Sequence, residues 1–188
     1  MEIGSFEIHL SFEFCHLSFK FDLPFEFCHW HSLSFMKQIL FVCTGNSCRS
    51  VMAEGLFRKW VGPKAKEYAA FSAGISAIGG MAASPETVRV MLEEGVDVSD
   101  HHSQHLTADR VRSAHKILVM ERMHRDWVLG ISPESMDKVH LLTDYASKEL
   151  KMKTPDIDIP DPIRSSDGFY KDVLNVIKDC VKNFIKTL

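Results

Sequence analysis

Short apolar segments alternate with segments of helical periodicity from residue 37 to residue 187. Four apolar runs have the length of strands, and they predict strands at residues 38–42, 67–72, 116–120 and 138–142. Four amphipathic or capped segments predict helices at residues 51–60, 85–94, 106–114 and 168–187. Strands that alternate with helices form a parallel sheet covered by helices on both faces. The sequence therefore predicts an α/β fold built on a four-stranded parallel sheet.

Residues 1–35 differ in composition from the rest of the chain. Apolar residues, mostly phenylalanine, alternate there with polar ones, and the segment Phe-Glu-Phe-Cys-His occurs at residues 12–16 and again at 25–29. This alternation predicts β-strand. We expect two parts, an aromatic-rich extension at 1–35 and one domain at 36–188. Met36 opens the domain, which suggests the hypothesis that translation naturally starts there. A mass measurement on the native protein that finds residues 1–35 attached would reject it.

The repeated Cys-His pairs of the extension raise the alternative of a metal site. These pairs, Cys15 with His16 and Cys28 with His29, offer thiolate and imidazole ligands that suit zinc. Neighbouring residues of a strand point to opposite faces, however, so each pair is poorly placed to hold a single ion. We therefore predict that the extension binds no metal and has no role in the chemistry.

Charge and cysteine usage limit the classes of partner. The formal net charge is -3, which offers no basic surface for nucleic acid. The sequence has no run of 18 apolar residues of the kind that spans a membrane. Five cysteines, an odd number at irregular spacing, argue against a secreted disulfide framework. A reducing compartment keeps thiols free for chemistry, so we expect a cytoplasmic protein.

The segment after the first predicted strand contains the residues with the most specific chemistry. It reads Cys-Thr-Gly-Asn-Ser-Cys-Arg-Ser from Cys43 to Ser50 and leads into a predicted helix. A loop in this position directs backbone N–H groups at an anion, and the helix dipole adds positive charge. Gly45 and Asn46 tolerate the left-handed backbone that such a loop requires. The predicted phosphate-binding residues are Thr44, Gly45, Asn46, Ser47, Cys48 and Ser50.

Two side chains of this loop suit phosphoryl chemistry. Arg49 carries a planar guanidinium that can contact two phosphate oxygens at once. The positive field of the loop, the helix and Arg49 favours a thiolate at Cys43, and a thiolate is a nucleophile. The sequence therefore predicts that Cys43 lies beneath a bound phosphorus atom.

Other interpretations of the loop explain less of it. An ATP-binding loop needs Lys followed by Ser or Thr, and Cys48-Arg49 stands there instead. A zinc site on Cys43 and Cys48 lacks a second pair of ligands, since Cys180 is the only cysteine in residues 51–188. A structural, buried Cys43 would explain neither the polar loop nor the arginine.

Residues 41–54 resemble the signature of the low-molecular-weight protein tyrosine phosphatases, a family that includes protein-arginine-phosphatases. The shared pattern is a cysteine, five residues, an arginine and a serine. Four further segments resemble family motifs in family order: Ser72-Ala73-Gly74, residues 97–101, residues 118–121 and Asp161-Pro162. The resemblance covers nearly all of residues 36–188. It implies a four-stranded parallel sheet with helices on both faces and a phosphate loop after the first strand.

The resemblance also implies a reaction and the residues for it. The protein would remove phosphate from a side chain of a phosphorylated protein, with Cys43 forming a phosphocysteine intermediate and no metal or other cofactor. Arg49 would bind the phosphoryl oxygens. Asp161 would be the general acid and then the general base. The other two aspartates of the 154–162 loop, Asp156 and Asp158, are interpreted as solvated.

Three supporting roles follow from the same resemblance. Ser50 would hydrogen-bond the thiolate and help it to leave in the second step. Asn46 resembles the family residue that fixes the shape of the loop. His101 resembles the structural histidine that tethers this asparagine, and a solvated histidine beside His102 is the alternative.

Two departures from the family pattern affect the substrate. Thr44 stands where tyrosine-directed members carry a larger aliphatic residue, and threonine there resembles the phosphoarginine branch. Ile163-Arg164 stands where tyrosine-directed members often carry aromatic residues, although Arg164 does not favour a cationic guanidinium substrate. Phosphotyrosine and phosphoarginine therefore both remain open. Arsenate reductase of the same fold and a non-catalytic phosphate-binding module are the remaining alternatives, and the reductase would need cysteines that residues 51–179 lack.

Overall fold

A computed structural model describes residues 36–153 and 158–188. The predictions for residues 1–35 and for Asp156 lie outside this part of the chain. The strands are β1 (Lys37–Cys43), β2 (Tyr68–Gly74), β3 (Lys116–Val119) and β4 (Val139–Leu141). The helices are α1 (Arg49–Trp60), α2 (Pro85–Glu93), α3 (Ala108–Ser113), α4 (Arg122–Ile131), α5 (Lys148–Lys153) and α6 (Asp167–Thr187). Short 3-10 helices occupy Gly62–Lys66, Pro133–Lys138 and Leu142–Tyr145.

The four strands form one parallel sheet in the order β2-β1-β3-β4, which confirms the predicted fold class. Phe41 of β1 stands opposite Ser72 of β2 and Leu118 of β3, so β1 is an inner strand. In a parallel sheet the strands end at the same edge, where ligands of such folds bind. The residues that follow β1, β2 and β3 therefore converge at one edge.

Each face of the sheet is buried beneath its own set of helices. On one face, residues such as Ile39 and Phe41 pack against α1, α2 and α6. On the other face, Leu40 and Val42 belong to a second apolar cluster with residues of α3 and α4. The alternating side chains of β1 supply both clusters, because successive side chains of a strand point to opposite faces. This two-sided burial fixes the end of β1, from which the Cys43 loop emerges.

The sequence prediction differs from the structure most at α4, for which no helix was predicted. The inward-facing pair of α4 is His124 and Val128, while the larger apolar residues Met123 and Trp127 are about half exposed. A buried histidine on the inward face breaks the apolar periodicity by which a helix is predicted. The helix predicted at 106–114 begins instead at Ala108, where the Thr107 side chain accepts a hydrogen bond from the backbone N–H of Arg110.

Within residues 36–153 and 158–188, no helix is long and apolar enough to cross a membrane.

Candidate active site

The loop between β1 and α1 places the Cys43 sulfur at the end of the central strand. Cys43 is buried, with 2% of its surface exposed. Its Sγ lies 3.0 Å from Ser50 Oγ and accepts a hydrogen bond from the backbone N–H of Asn46 over 3.3 Å. Since Ser50 Oγ also accepts from the Asn46 side-chain amide at 2.9 Å, its own hydrogen is free to point at the sulfur. The Asn46 N–H therefore donates to Cys43 Sγ, and the Ser50 hydroxyl is placed to do the same.

Asn46 holds the loop in its curved shape. Asn46 adopts a left-handed backbone with φ 54°, and Gly45 does not. Of the two residues predicted to be left-handed, only Asn46 is. Its Nδ2 donates to Ser72 Oγ at 2.8 Å, and its Oδ1 accepts from the Gln104 N–H at 2.7 Å. The asparagine is fully buried, so these bonds replace contacts with water.

His101 contacts the same asparagine from the loop before α3. Its Nε2 lies 2.8 Å from the backbone oxygen of Asn46, 55 positions away in the sequence. This contact is the geometry of a tether and not that of a histidine surrounded by solvent. The neighbouring His102 is exposed, and its Nδ1 lies 2.8 Å from the backbone oxygen of Asp100.

Several backbone N–H groups of the loop have no hydrogen-bond partner among the described residues. The N–H groups of Gly45, Ser47 and Cys48 make no hydrogen bond to another residue of the described part of the chain. Cys48 is the N-cap of α1 and its side chain does not cap the helix; the first turn of α1 also lacks an acidic residue. The start of α1 therefore keeps its free N–H groups and the positive end of its dipole. The N–H groups of the Thr44–Ser50 backbone are therefore suited to bind an anion.

The Arg49 guanidinium connects three segments that are distant in the sequence. Its Nη1 donates to a carboxylate oxygen of Glu121 and, at 2.8 Å, to the backbone oxygen of Ile159. Its Nη2 donates to Asp161 Oδ2 at 2.6 Å and, more weakly at 3.4 Å, to Thr44 Oγ1. Arg49 is only 1% exposed, so these partners compensate the burial of its charge. The structure thus brings the predicted Cys43, Arg49 and Asp161 together at one edge of the sheet.

The loop that carries Asp161 is fixed by another aspartate. Asp158 accepts from the Arg122 backbone N–H at 2.8 Å and forms an ion pair with its guanidinium at 2.9 Å. The pKa of Asp158 is lowered from its usual value. Burial is the largest single effect and raises this pKa, but the hydrogen bonds and the charge of Arg122 together outweigh it. The prediction of a merely solvated Asp158 is therefore wrong, because this carboxylate ties its loop to α4. Asp161 itself is 41% exposed at the mouth of the site.

Two residues of the site were given no role by the sequence analysis. Glu121 follows β3 and pairs with Arg49, and His124 lies one turn further along the chain in α4. His124 is fully buried, and its Nε2 lies 2.9 Å from Thr44 Oγ1. Burial, the largest effect, lowers the pKa of His124 to about 4, and the nearby charge of Arg49 adds to this. Glu121 had a usable signal, since it follows the strand next to β1 at the ligand-binding edge.

The described residues contain no group of three or more His, Cys, Asp or Glu side chains that could hold a metal ion.

Fold and site together define the class: a parallel α/β protein whose first strand ends in a Cys-x5-Arg-Ser loop. Residues 38–188 match the family model of the low molecular weight phosphotyrosine protein phosphatases. The chain belongs to this family, which confirms the resemblance seen in its motifs.

Curated relatives of the chain carry three different descriptions. A probable low molecular weight protein-tyrosine-phosphatase, EpsP of Ralstonia nicotianae, is 34% identical over 76% of this chain and 90% of its own length. The protein-arginine-phosphatase of Bacillus subtilis is 30% identical over 80% of this chain and 95% of its own. An arsenate reductase of Brevibacillus brevis is 40% identical, over 60% of this chain and 80% of its own.

Solved structures agree with this assignment. The tyrosine phosphatase AmsI of Erwinia amylovora is 32% identical and superposes with a TM-score of 0.71, over 81% of this chain and 93% of its own. The YwlE arginine phosphatase of Geobacillus stearothermophilus is 29% identical and superposes with a TM-score of 0.69, over 80% of this chain and 92% of its own. The fold is therefore shared between tyrosine and arginine phosphatases.

Proposed function

We propose that this protein is a cytoplasmic phosphatase that hydrolyses phosphorylated side chains of proteins, through a phosphocysteine on Cys43 with Asp161 as general acid and base. The observation that carries the proposal is the convergence on one loop of a hydrogen-bonded sulfur, a buried guanidinium and a carboxylate from 112 residues further along the chain. Nucleophile, anion stabiliser and acid are the three roles that acid-assisted displacement at phosphorus requires.

In the first step the Cys43 thiolate attacks phosphorus, and the bond from phosphorus to the side-chain oxygen or nitrogen breaks. Protonated Asp161 gives its proton to the leaving atom. The phosphoryl group remains on sulfur, with its oxygens held by the loop N–H groups and Arg49.

In the second step water attacks the phosphocysteine. Asp161, now a carboxylate, takes the proton from that water, and the sulfur–phosphorus bond breaks. The thiolate that leaves is stabilised by the hydrogen bonds from Ser50 and the Asn46 backbone, which are 3.0 Å and 3.3 Å from the sulfur. Inorganic phosphate then departs, and the loop and Asp161 return to their starting states.

The two edges of the Arg49 guanidinium have separate tasks in this mechanism. Nη1 stays bonded to Glu121 and to the Ile159 carbonyl, which fixes the plane of the group. The Nε and Nη2 edge turns to the phosphoryl oxygens, so the substrate replaces Asp161 as the partner of Nη2. This exchange leaves the Asp161 carboxyl available to act as the general acid.

The proposal is tested first by turnover of p-nitrophenyl phosphate. We expect hydrolysis in the presence of a chelator, competitive inhibition by inorganic phosphate, and stronger inhibition by vanadate, which adopts the geometry of the transition state. Failure of the purified protein to hydrolyse this ester in the absence of inhibitors, with or without the chelator, would overturn the assignment as an active phosphatase.

Replacing Asp161 with asparagine should slow the first step, because the amide cannot donate a proton in place of the acid. We expect kcat/KM for phenyl phosphate to fall about 100- to 1000-fold. The loss should be smaller for p-nitrophenyl phosphate, since p-nitrophenolate leaves without protonation. Asp126→Asn, a change of an exposed carboxylate on α4, is the matched control and should not alter either rate. Equal losses for both esters would contradict the assignment of Asp161 as the acid.

Gly74 supplies a further test, because it lies directly beneath the loop. A Cβ there would stand 2.5 Å from the Thr44 carbonyl oxygen and 2.8 Å from the Asn46 nitrogen, so the loop backbone would have to shift. We expect Gly74→Ala to lower kcat/KM about 100-fold, the typical effect of displacing a site by about 1 Å. Gly130→Ala is the control, since its Cβ would meet nothing within 4 Å. Wild-type activity in Gly74→Ala would show that the loop position is not critical.

The identity of the phosphorylated residue is decided by direct comparison. Phosphotyrosine and phosphoarginine peptides of otherwise identical sequence should be offered side by side, with kcat/KM as the measure. Thr44 beside the nucleophile favours phosphoarginine by family resemblance, and the exposed Arg164, three residues after Asp161, opposes a cationic substrate. A ratio of kcat/KM above about 100 in either direction, near 3 kcal/mol of discrimination, would assign the branch.

The sequence identity of 40% to an arsenate reductase, over 60% of this chain, makes arsenate reduction the second candidate function. Reduction requires thiols that resolve an oxidised intermediate. In the described part of the chain the cysteines besides Cys43 are Cys48, in the same loop, and Cys180, fully buried in α6. This distribution favours hydrolysis. Arsenate-dependent oxidation of a thioredoxin or glutaredoxin system by the protein would favour the reductase instead.

A further inference from the structure

We propose that His124 is a positioning residue that orients the Thr44 hydroxyl so that Thr44 donates a hydrogen bond to the phosphoryl group of the substrate. This inference rests on the proposed function, since it concerns the same site. It adds to the loop N–H groups and Arg49 a hydroxyl donor, whose direction is set from α4 and not from the loop itself.

His124 has the burial and the contacts of a fixed group. Its side chain is fully buried, and Nε2 contacts Thr44 Oγ1 at 2.9 Å across 80 residues of sequence. The other ring nitrogen, Nδ1, is buried and has no hydrogen-bond partner among the described residues. The carboxylate of Glu121 is further away, with Oε1 at 3.8 Å from Nε2. The imidazole therefore has one strong polar contact, and that contact is Thr44.

The unpartnered Nδ1 indicates which tautomer is present. The imidazole is neutral at physiological pH, because burial lowers the pKa of His124 to about 4, so only one ring nitrogen carries a proton. A buried N–H without an acceptor is rarer in proteins than a buried acceptor without a donor. The proton therefore belongs on Nε2, and Nε2–H donates to Thr44 Oγ1.

This tautomer determines what the threonine can do. Thr44 Oγ1 accepts a hydrogen bond from His124 at 2.9 Å and, until substrate becomes the partner of Nη2, a weak one from Arg49 at 3.4 Å, so both contacts use lone pairs of the oxygen. Its own hydrogen remains available for donation. Arg49 Nη2 also holds Asp161, so the hydroxyl stands on the Asp161 side of the site, where the phosphoryl group is transferred. A hydroxyl fixed in this way is a pre-organised donor.

A double-mutant cycle on p-nitrophenyl phosphate hydrolysis tests the coupling. Thr44→Val removes the hydroxyl at nearly constant volume and should lower kcat/KM about fivefold to tenfold, the usual worth of one hydrogen bond. His124→Leu should cause a similar loss. The double variant should be no slower than Thr44→Val alone, because the histidine acts through the hydroxyl. His124→Gln, whose amide can donate from the Nε2 position, should recover part of the rate.

Further measurements separate positioning from a merely structural role. Vanadate affinity should fall in parallel with kcat/KM, while the affinity for inorganic phosphate changes less, because the hydroxyl acts on the transition state. His140→Gln, on a histidine of β4 that packs against Tyr145, is the control and should keep wild-type kinetics. If His124→Leu does not fold, the role of the hydroxyl is tested by comparing Thr44→Ser with Thr44→Val. Thr44→Ser keeps the hydroxyl and must keep a kcat/KM close to the wild-type value, whereas Thr44→Val must lose it.

Several results would overturn the inference. Wild-type kcat/KM in folded Thr44→Val or His124→Leu would do so, and so would losses that multiply in the double variant. These outcomes are distinct from failure of the proposed function, in which the unmodified protein itself would not hydrolyse the ester.

Discussion

Replacing Cys43 with serine is expected to abolish turnover, with kcat on p-nitrophenyl phosphate falling at least about 10,000-fold. A serine hydroxyl remains protonated at neutral pH, and the donors that converge on the sulfur cannot ionise it. The Arg49 guanidinium and the loop N–H groups are unchanged by the substitution. Inorganic phosphate should therefore bind within about threefold of its wild-type affinity.

Cys180→Ala is the matched control for this prediction. Cys180 is also fully buried but lies in α6, where burial raises the pKa of its thiol to about 12. Its removal should leave kcat unchanged per folded molecule. Retention of more than about one per cent of wild-type kcat by Cys43→Ser would show that another group is the nucleophile.

Replacing Arg49 with lysine is expected to lower kcat/KM about 1000-fold although the positive charge is kept. The ammonium is a point charge and cannot hold Glu121 with one edge while it binds two phosphoryl oxygens with the other. The fall should appear in kcat as well as in KM, since the guanidinium stabilises charge in the transition state.

The structural contribution of Arg49 can be measured separately from its chemical one. Arg49→Met leaves the Glu121 carboxylate, which is 23% exposed, without its cation and should lower the free energy of unfolding by about 3 kcal/mol. Adding Glu121→Gln should restore much of that stability, as measured by urea unfolding, without restoring activity. Recovery of turnover in the double variant would reduce Arg49 to a structural residue.

The sequence was most informative where local and global constraints agree. The β1 strand, the loop and the start of α1 were predictable because strand burial, the loop residues and the helix dipole are properties of adjacent residues. Asp161 was reached by family resemblance alone, since no local pattern shows that its loop meets Arg49. The structure supplies that contact at 2.6 Å.

Two features that were not predicted involve a polar residue in a fully or partly buried position. His124 takes an inward position of α4 that would ordinarily be apolar, so the helix itself was not predicted. Asp158 was interpreted as solvated because its partner, Arg122, lies 36 residues earlier in the chain. Such contacts depend on how distant segments pack, which hydrophobic periodicity does not encode.

The central claim is that phosphate passes through the sulfur of Cys43, and trapping the intermediate tests it most directly. The protein would be quenched rapidly during turnover of p-nitrophenyl phosphate, digested and analysed by mass spectrometry, with Cys43→Ala as the control. We expect one phosphoryl group on the Cys43 peptide, formed and lost at rates that account for kcat. Turnover with no phosphoryl group on the protein, or with the group on a different residue, would contradict this mechanism.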